Sequence, residues 1–507
     1  MFAALALAIL TRSVIHHPPT YDELLHILAA RGVAASGRPA IADGIYDRAE
    51  LYTRAVAFAG RFASDELVGA REPAWLAALL LTALVSAWTV RKAGLLAGFV
   101  AGGLLAVNPW TIDLAVFARF YTLQALAIFT AFACLYEAAG IATRRGAAAA
   151  YVAVAAVALA FALHFQITTI IAVGALGAGI AAGVAVERAD SLSRAIRRNR
   201  VPVMIACIGA LAGAILVLFR FDMLQTFRET SPWSAAAANR LTYYNNALAK
   251  DMPLFWPLVP FAALGACVVR PRMGWTLVVA AATAFSIHSL AAAKATRYAY
   301  YALPFLCILL GCGLSVGFSF LNESLASRWP RIGRAAPVLV LAAFGLSFAA
   351  SQEGYRAARL LLAADPYSKV LSYGDETTWS GARPMLAPLA ARADAIVTSN
   401  AMKALYYLGR YDYELNASIV PETDTHAEFG TDERTGRQAI STASSLAKVL
   451  AAHARTLIVA ENEKLGIGYG VPSNTVAIAE TACDRAEVPA AARITVWSCT
   501  RGSRDER

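Results

Sequence analysis

The chain has 507 residues, of which 58% are hydrophobic and only 16% are charged, and its mean hydropathy is +0.52. A soluble protein carries about a quarter charged residues, so this composition excludes an ordinary soluble enzyme and favours a protein that crosses the membrane many times. The formal net charge of +10 arises before residue 354, because residues 354–507 hold 17 Lys/Arg and 18 Asp/Glu. An excess confined to the apolar part is typical of orientation in a bilayer and argues against nucleic-acid binding.

Eleven apolar runs predict transmembrane helices, although several fall short of the usual length of about 20 residues. The first run has no positive charge before it and no small-residue cleavage pattern, so we interpret it as a transmembrane helix that is short, or whose true start lies upstream, rather than a signal peptide. In chain order the runs are 1–16, 72–90, 93–107, 120–139, 147–164, 166–187, 201–219, 253–270, 274–293, 298–320 and 336–350.

Lysine and arginine are concentrated in every second connector between these runs. The five basic connectors hold 14 Lys/Arg, and they are 91–92, 144–145, 188–200, 270–272 and 328–334. The positive-inside rule places them in the cytoplasm. The connectors that then face outward are 17–71, 108–119, the point around His164, 220–252 and 294–297, followed by the region after 350.

Two of the outward regions, 17–71 and 351–507, are large. The second is a C-terminal domain, 351–507, and it follows a transmembrane domain, 1–350, that includes the first. The first region, 17–71, contains "YDRAELYTRAVAFAGRF" (46–62), in which apolar and charged residues fall on separate faces of a helix. Such a helix is suited to the membrane interface.

The C-terminal domain alternates β-rich runs with helical runs. The β-rich runs are "DAIVTSN", "TLIVAE", "TVAIAE" and "ITVWSC", and the helical ones are "AMKALYYLG" and "SLAKVLAAHA". This alternation predicts a small α/β domain. Its cysteines, Cys483 and Cys499, form a disulfide if the domain faces an oxidising compartment, and otherwise are two unpaired thiols.

The stretch "PPTYDELLHILAARG" (18–32) places two acids just beyond the first span. Thr20 is a good N-cap and Glu23 lies three residues later, which predicts a capping box, while Gly32 predicts the end of the helix. Asp22 is not needed for that capping box. Capping alone explains the pair, and catalysis by Asp22 at the membrane surface is the alternative.

Three further outward elements carry polar residues at the end of a span. Each has an ordinary explanation, which is interfacial anchoring for the Arg and Tyr side chains and a structural hydrogen bond for the His. An arginine side chain also matches the geometry of a phosphate. Cations on the outer side are not explained by the positive-inside rule. Because all three elements lie on that side, they favour a binding site for an anionic lipid head group. The residues are Arg119, Tyr121, His164, Lys294, Arg297 and Tyr298.

This pattern resembles the GT-C glycosyltransferases, polytopic membrane enzymes that use polyprenyl-phosphate sugars. It is most similar to the branch of the protein O-mannosyltransferases and lipid A aminoarabinose transferases. The resemblance rests on the acidic pair in the first loop, on "NPWTIDLAVFARFYTLQAL" (108–126) with its Arg-x-Tyr, and on "TRYAYYALPFLCILLG" (296–311) with its Arg-Tyr and Leu-Pro. It covers about residues 1–320 and is clearest in 18–126.

The resemblance implies an inverting sugar transfer. An acceptor hydroxyl attacks the anomeric carbon while Asp22 takes its proton as general base and Glu23 orients the site. The leaving lipid phosphate needs cations rather than an acid. The residues expected to bind it are Arg119, Arg297 and Lys294, with Tyr121, Tyr298 and His164 as hydrogen-bonding partners.

The resemblance also implies the partners and the location. The expected partners are a polyprenyl-phosphate sugar, membrane lipids and an acceptor that is a glycolipid, a glycan or a protein. The expected location is the bacterial inner membrane, with the active site and the C-terminal domain on the periplasmic side. No cofactor is certain; the sequence shows no metal-binding constellation, although some relatives bind a divalent metal ion.

Three alternatives stay open at this point. A transporter or flippase of a lipid-linked sugar would show an internal repeat and ionisable residues near the middle of the membrane. A membrane scaffold would act through its C-terminal domain. A ligase or polymerase would move a whole glycan from a polyprenyl diphosphate.

Overall fold

The computed structural model describes residues 1–12, 14–140, 145–189, 240–328, 342–343, 345–362, 379–417, 428–466 and 470–501. Several sequence predictions lie wholly or partly outside these residues: the span at 201–219, most of the connector at 188–200, part of the outward connector at 220–252, most of the connector at 328–334 and part of the span at 336–350.

The helices of the described chain are, in order, α1 Phe2–Thr11, α2 Tyr21–Ser36, α3 Glu50–Ala59, α4 Glu66–Ala93, α5 Leu95–Val107, α6 Pro109–Ala115, α7 Tyr121–Gly140, α8 Arg145–Phe165, α9 Thr169–Glu187, α10 Tyr243–Asp251, α11 Val259–Val269, α12 Pro271–Leu290, α13 Thr296–Ala299, α14 Leu303–Arg328, α15 Gln352–Leu361, α16 Arg383–Arg392, α17 Ala401–Leu408, α18 Ala443–Ala452 and α19 Ser473–Ala482. The strands are β1 Ala40–Ile41, β2 Gly44–Ile45, β3 Ala395–Thr398, β4 Tyr413–Leu415, β5 Phe429–Thr431, β6 Gln438–Ile440, β7 Arg455–Glu461, β8 Asp484–Ala486 and β9 Ile494–Thr500.

These elements form two compact units. The first unit contains the described parts of Met1–Ile15 and Ala74–Ser372, and the second contains the described parts of His16–Pro73 and Tyr373–Arg507.

Six helical segments of the described chain are long and apolar enough to cross a membrane: α4, α7, α8, α9, α12 and the stretch Thr296–Ser324. Two bent pairs, α5 with α6 and α10 with Trp256–Val269, raise the number to eight if each pair is one span. The chain is therefore a multi-pass membrane protein, as its hydropathy predicts. The described residues do not test the predicted count of eleven.

The first predicted span is helical only over Phe2–Thr11, which is ten residues. Its buried residues Leu7 and Leu10 join an apolar cluster with Ala78 of α4 and Ile112 of α6. The indole of Trp75 donates a hydrogen bond to Thr11 Oγ1 at 2.9 Å. Helix α15 contributes Ala357 and Leu360 to the same cluster, so residues that the sequence assigns to the C-terminal domain pack in the first unit.

The basic connectors 91–92 and 270–272 meet at one end of the first unit. Lys92 pairs with Glu137 at 2.7 Å, and Arg270 donates to the carbonyl of Lys92 at 2.6 Å. Arg272 pairs with Glu187 at 3.3 Å and lies over the ring of Tyr136. These contacts place the ends of α4, α7 and α9 beside the start of α12, as expected if these connectors share one side of the membrane.

Two glycines bring α9 against α12. A Cβ at Gly179 would lie 2.5 Å from the carbonyl oxygen of Thr276, and one at Gly183 would lie 2.0 Å from Thr276 Oγ1. The two positions are four residues apart, the spacing at which small residues let membrane helices approach closely. The backbone contact of these helices therefore depends on the absence of side chains.

The second unit is built around a seven-stranded sheet of order β5-β6-β4-β3-β7-β9-β8. Strands β6, β4, β3 and β7 are parallel neighbours, whereas β5, β9 and β8 pair antiparallel. Val397 of β3 lies opposite Ile458 of β7, which lies opposite Trp497 of β9, and all three are buried. The predicted α/β domain is therefore present.

Most of its predicted elements are confirmed, but "TVAIAE" (475–480) is not a strand. It lies in helix α19, which starts after Pro472 and buries Thr475 and Ala479, one helical turn apart, against the domain core. Valine and isoleucine favour strands, but packing overrides that preference here. Cys483, just after this helix, forms a disulfide with Cys499 of β9, which decides between the two alternatives that the sequence left open.

The first predicted outward loop packs against helix α17 and the turn between β5 and β6 rather than standing alone. Arg31 of α2 lies over the ring of Tyr406 of α17 at 5.0 Å, and Asp43 pairs with Arg437 at 2.7 Å. Within the loop, α2 and α3 pack through His26, which donates to or accepts from Thr53 Oγ1 at 2.9 Å. Residues 17–71, which the sequence groups with the transmembrane domain, thus belong to the same compact unit as the C-terminal strands.

The amphipathic helix predicted at 46–62 is the shorter helix α3. Tyr52 and Val56 are buried, while Leu51, Phe58 and Phe62 are exposed. The exposed apolar face matches the pattern read from the sequence, and its location in the membrane interface stays a prediction.

Gly183→Val tests the close approach of α9 and α12. Inserting bulk into a filled contact costs about 1–3 kcal/mol, so we expect a lower thermal unfolding midpoint for the purified protein in detergent. Gly177→Val is the matched control, because a Cβ at Gly177 meets nothing within 4 Å. Equal midpoints for the two variants would contradict the helix contact.

Candidate active site

Helix α2 begins where the sequence predicts. Its first turn is closed by the predicted capping box: Glu23 N donates to Thr20 Oγ1 at 3.4 Å, and Thr20 N donates to Glu23 Oε2 at 2.9 Å. The predicted end at Gly32 is wrong. The helix continues to Ser36 and ends at Gly37, whose positive φ of 77° lets its N–H bond the carbonyl of Val33. Gly32 lies inside the helix, and its lack of a side chain makes room for the backbone of Ala40, because a Cβ there would lie 2.3 Å from the Ala40 carbonyl oxygen.

Glu23 is bound by Arg71, and neither side chain has any exposed area. Arg71 Nε donates to Glu23 Oε1 at 2.8 Å and Nη2 donates to Oε2 at 3.0 Å, while Nη1 donates to the carbonyl of His17 at 2.8 Å. Burial opposes ionisation of Glu23, but the charge of Arg71 outweighs it, and the pKa of Glu23 is lowered. Glu23 is therefore an ionised anchor with both oxygens bound.

Asp22 differs from its neighbour. It occupies the second position of α2 and is half-buried, whereas Glu23 is fully buried. The positive end of the helix dipole favours its negative charge. Of the two acids, Asp22 is the one whose side chain remains partly accessible.

Arg71 and His17 were missed by the sequence analysis, although one signal pointed to Arg71. It is a cation at the start of a span that the sequence predicts to face outward, like Lys294, so the positive-inside rule does not explain it. Burial, with Arg71 adding to the effect, lowers the pKa of His17 to about 4, so His17 is neutral beside the ion pair.

In the first unit, the predicted phosphate ligands Arg119 and Arg297 each lie beside a tyrosine, and the two tyrosine rings are close together. The rings of Tyr121 and Tyr298 have centroids 6.2 Å apart. The guanidinium of Arg119 lies 6.0 Å from the ring of Tyr121, and that of Arg297 lies 5.4 Å from the ring of Tyr298. Two segments far apart in sequence thus place two arginines beside one aromatic pair.

His164 and Lys294 lie near these residues in different ways. His164 is exposed at the end of α8, and the ring of the next residue, Phe165, stacks on Phe120, which follows Arg119. Lys294 precedes α13 and is buried, and burial lowers its pKa. The basic connectors lie at the opposite ends of α7 and α12, so this group marks the other end of the first unit.

Two residues near this group, Tyr244 and Asp251, were not singled out from the sequence. Tyr244 of α10 donates to the carbonyl of Ala295 at 3.1 Å, next to Lys294. Asp251 accepts a hydrogen bond from the indole of Trp110 at 2.8 Å and lies 3.6 Å from Arg356. Isolated polar residues in a long connector carry no pattern that would have identified them.

A mostly apolar cavity of about 520 Å³ adjoins this region. It lies among α10, α11, α12 and α14, and its wall includes Tyr244, Ala282, Phe285 and Leu306. Because Tyr244 also contacts the segment that carries Lys294 and Arg297, the apolar cavity and the cationic segment are neighbours.

Among the residues that the structure describes, no group of three or more His, Cys, Asp or Glu side chains is arranged to hold a metal ion.

Glu23→Gln tests the buried ion pair. It keeps the shape of the side chain but leaves the Arg71 guanidinium buried without its carboxylate, which costs about 3–5 kcal/mol of unfolding free energy. Glu66→Gln is the control, because the Glu66–Arg31 pair is 44% and 43% exposed and such pairs contribute at most about 1 kcal/mol. Similar losses measured by thermal unfolding would contradict the assignment.

No protein-family profile matches this chain, and no curated protein matches it. Solved structures do. The ArnT of Cupriavidus metallidurans bound to undecaprenyl phosphate aligns with a TM-score of 0.62 and 17% identity, over 99% of this chain and 98% of that chain. The apo state of that protein gives 0.61 and 17%, over 98% and 97%.

A second protein has the same architecture. The oligosaccharyltransferase AglB of Archaeoglobus fulgidus, in complex with an inhibitory peptide and a dolichol-phosphate, aligns with a TM-score of 0.57 and 13% identity, over 91% of this chain and 69% of that chain. ArnT, a lipid A aminoarabinose transferase, and AglB are both GT-C proteins. The chain therefore has the fold of these GT-C proteins, as its sequence predicts, with a strand-containing C-terminal domain.

Proposed function

We propose that this protein is an inverting glycosyltransferase that moves a sugar from a polyprenyl phosphate to an acceptor outside the cytoplasm. The acceptor is a glycolipid, a glycan or a protein. The proposed location is the bacterial inner membrane, with the reaction on the periplasmic side. The disulfide between Cys483 and Cys499 supports that side, because disulfides persist in the oxidising periplasm.

The observation that carries the proposal is the grouping of Arg119, Tyr121, Arg297 and Tyr298 in a GT-C fold. An arginine matches the geometry of a phosphate, and two arginines offset the charge of a leaving phosphate. ArnT was solved with undecaprenyl phosphate and AglB with a dolichol-phosphate, so both structural relatives hold a lipid phosphate of this class.

The neighbouring apolar cavity supports a lipid-linked donor. An isoprenoid chain needs apolar walls, and the cavity beside Tyr244 provides them next to the cationic segment at Lys294 and Arg297. We propose that the phosphate lies at this segment and that the first isoprene units enter the cavity.

The proposed reaction is a single displacement. The acceptor oxygen forms a bond to the anomeric carbon as the bond from that carbon to the phosphate oxygen breaks, and the sugar inverts. Asp22 takes the hydroxyl proton in the transition state. Arg119, Arg297 and Lys294 stabilise the charge that develops on the departing lipid phosphate, with Tyr121, Tyr298 and His164 as hydrogen-bonding partners.

Glu23 has a different part in this scheme. Both of its oxygens are bound by Arg71 and by the backbone of Thr20, so it orients the helix start and does not take a proton. In this proposal the two acids have different roles: Glu23 holds the start of α2 in place, and Asp22 accepts the proton of the acceptor hydroxyl.

Asp22→Asn tests the base. Losing general-base catalysis lowers kcat by about 10²–10⁴ while the protein keeps its thermal midpoint, because the amide has the same shape as the carboxylate. The assay supplies a panel of undecaprenyl-phosphate sugars and envelope acceptors to protein in lipid vesicles, and measures released undecaprenyl phosphate and the anomeric configuration of the product.

Asp47→Asn is the matched control, since Asp47 is an exposed acid of the same outward loop. Full activity of Asp22→Asn would contradict the proposed base. Movement of the lipid-linked sugar across the vesicle membrane with no transfer by the wild-type protein would favour a flippase instead.

Ala282→Trp tests the apolar cavity, whose wall Ala282 forms. Filling it costs the lipid chain about 1–3 kcal/mol of binding, so the KM for an undecaprenyl-phosphate donor rises about tenfold or more while kcat is kept. Ala153→Trp on the exposed face of α8 is the control. An unchanged KM would show that the chain binds elsewhere.

A further inference from the structure

The turn between β5 and β6, residues 432–437 ("DERTGR"), lies against the first outward loop, and we call it the clamp turn. Asp43 N donates to the carbonyl of Thr435 at 2.8 Å, and Arg437 pairs with the Asp43 carboxylate at 2.7 Å. A Cβ at Gly44 would lie 2.6 Å from the backbone oxygen of Arg434. The clamp turn and the β1–β2 ribbon are therefore in backbone contact.

Arg434 extends from the clamp turn to the start of α2. Its Nη1 donates a hydrogen bond to the hydroxyl of Tyr21, and its guanidinium lies 5.7 Å from the Tyr21 ring. The rest of the guanidinium is fixed by Asp432, to which Nε donates at 2.8 Å and Nη2 at 3.1 Å. Asp432 is buried and also accepts from Thr435 Oγ1 at 3.2 Å, so Arg434 is held in one direction.

Tyr21 lies in a charged recess of the C-terminal strands. Lys464 lies 6.0 Å from the Tyr21 ring and is itself fixed by the carbonyl of Ser399, to which its Nζ donates at 2.9 Å. Burial, with the Glu414 carboxylate adding to it, raises the pKa of the Tyr21 hydroxyl above its usual range. The hydroxyl therefore stays protonated and accepts the hydrogen bond from Arg434.

Tyr21, Asp22 and Glu23 are consecutive residues of the first turn of α2. Tyr21 is bound by Arg434 of the clamp turn, and Glu23 is bound by Arg71 of α4. Asp22 thus lies between two anchored neighbours, and each anchor comes from a distant part of the chain. The first turn cannot rotate or translate without breaking one of the two anchors.

We infer that Arg434 is a positioning residue for sugar transfer, which fixes the Asp22 carboxylate by holding Tyr21. This inference rests on the proposed function of Asp22. It gives the C-terminal domain a part in the reaction that requires no contact with donor or acceptor. A displacement of about 1 Å at a reacting group lowers the rate by about 100-fold, so an anchor of this kind is large enough to measure.

Arg434→Gln and Tyr21→Phe in the full-length protein test the inference. Each removes the Arg434–Tyr21 hydrogen bond, and we expect kcat to fall about 10- to 100-fold with the KM for the undecaprenyl-phosphate sugar unchanged. The double variant should fall no further than the more affected single variant, because both changes remove the same interaction. Arg434→Lys keeps a cationic donor and should recover part of the lost kcat.

Glu433→Ala is the matched control, since Glu433 is an exposed residue of the clamp turn. It should keep the wild-type kcat. A loss equal to that of Arg434→Gln would overturn a specific role for Arg434, as would wild-type kcat in both Arg434→Gln and Tyr21→Phe. Tyr21→Phe removes a single oxygen and keeps the test decisive if Arg434→Gln does not fold.

Hydrogen exchange at the backbone amides of residues 22–26 separates this inference from the proposed function. Arg434→Gln should speed that exchange and Glu433→Ala should not, whatever reaction the protein catalyses. Unchanged exchange with Arg434→Gln would overturn the anchor. Faster exchange in a protein whose Asp22→Asn variant is fully active would confirm the anchor and overturn Asp22 as the base that it positions.

Discussion

The ion pair of Glu23 and Arg71 is the interaction on which the start of α2 depends. Neither side chain touches solvent. Removing two charges from water costs several kcal/mol per ion, and only close geometry with further hydrogen bonds offsets that cost. Here the carboxylate also caps the helix and the guanidinium also binds the carbonyl of His17, so both groups make hydrogen bonds beyond the ion pair. Loss of either partner would leave a buried charge alone.

Because of this ion pair, the two adjacent acids Asp22 and Glu23 have different environments. Glu23 is committed to structure by its partners, which leaves Asp22 as the acid with a partly accessible side chain. A base must be held rigidly but remain reachable. Two anchored neighbours flanking one half-buried carboxylate meet both conditions, whereas a single flexible acid on a loop would meet only the second.

The cations at the two ends of the first unit also have different explanations. Arginine and lysine at the ends that the positive-inside rule predicts to be cytoplasmic are explained by orientation, and there they pair with Glu137 and Glu187. Arg119 and Arg297 lie at the other end, beside a pair of tyrosines and near an apolar cavity. Charge that does not serve orientation has to serve binding or structure, and this arrangement suits an anionic head group with an apolar tail.

Periodicity and capping rules made much of the fold predictable. The capping box of α2, the span starting after Arg119 and the α/β nature of the C-terminal domain depend on residues close together in the chain, and all are found. The GT-C fold is implied by the family resemblance of three separate motifs, and it is found as well. The errors have a common cause. "TVAIAE" is a helix and Gly32 lies within one, because contacts outside each segment matter there: Thr475 and Ala479 are buried against the domain core, and the backbone of Ala40 lies against Gly32.

The sequence by itself determined that the chain crosses the membrane repeatedly, which ends of its helices are basic, and which side chains stand at the opposite ends, because hydropathy, charge and helix caps are local properties. Only the tertiary structure decided that the first loop packs on the C-terminal sheet, that Arg71 binds Glu23 and that Arg434 binds Tyr21. Those contacts join residues 48 and 413 positions apart, and no local rule encodes which distant cation will fill a buried site.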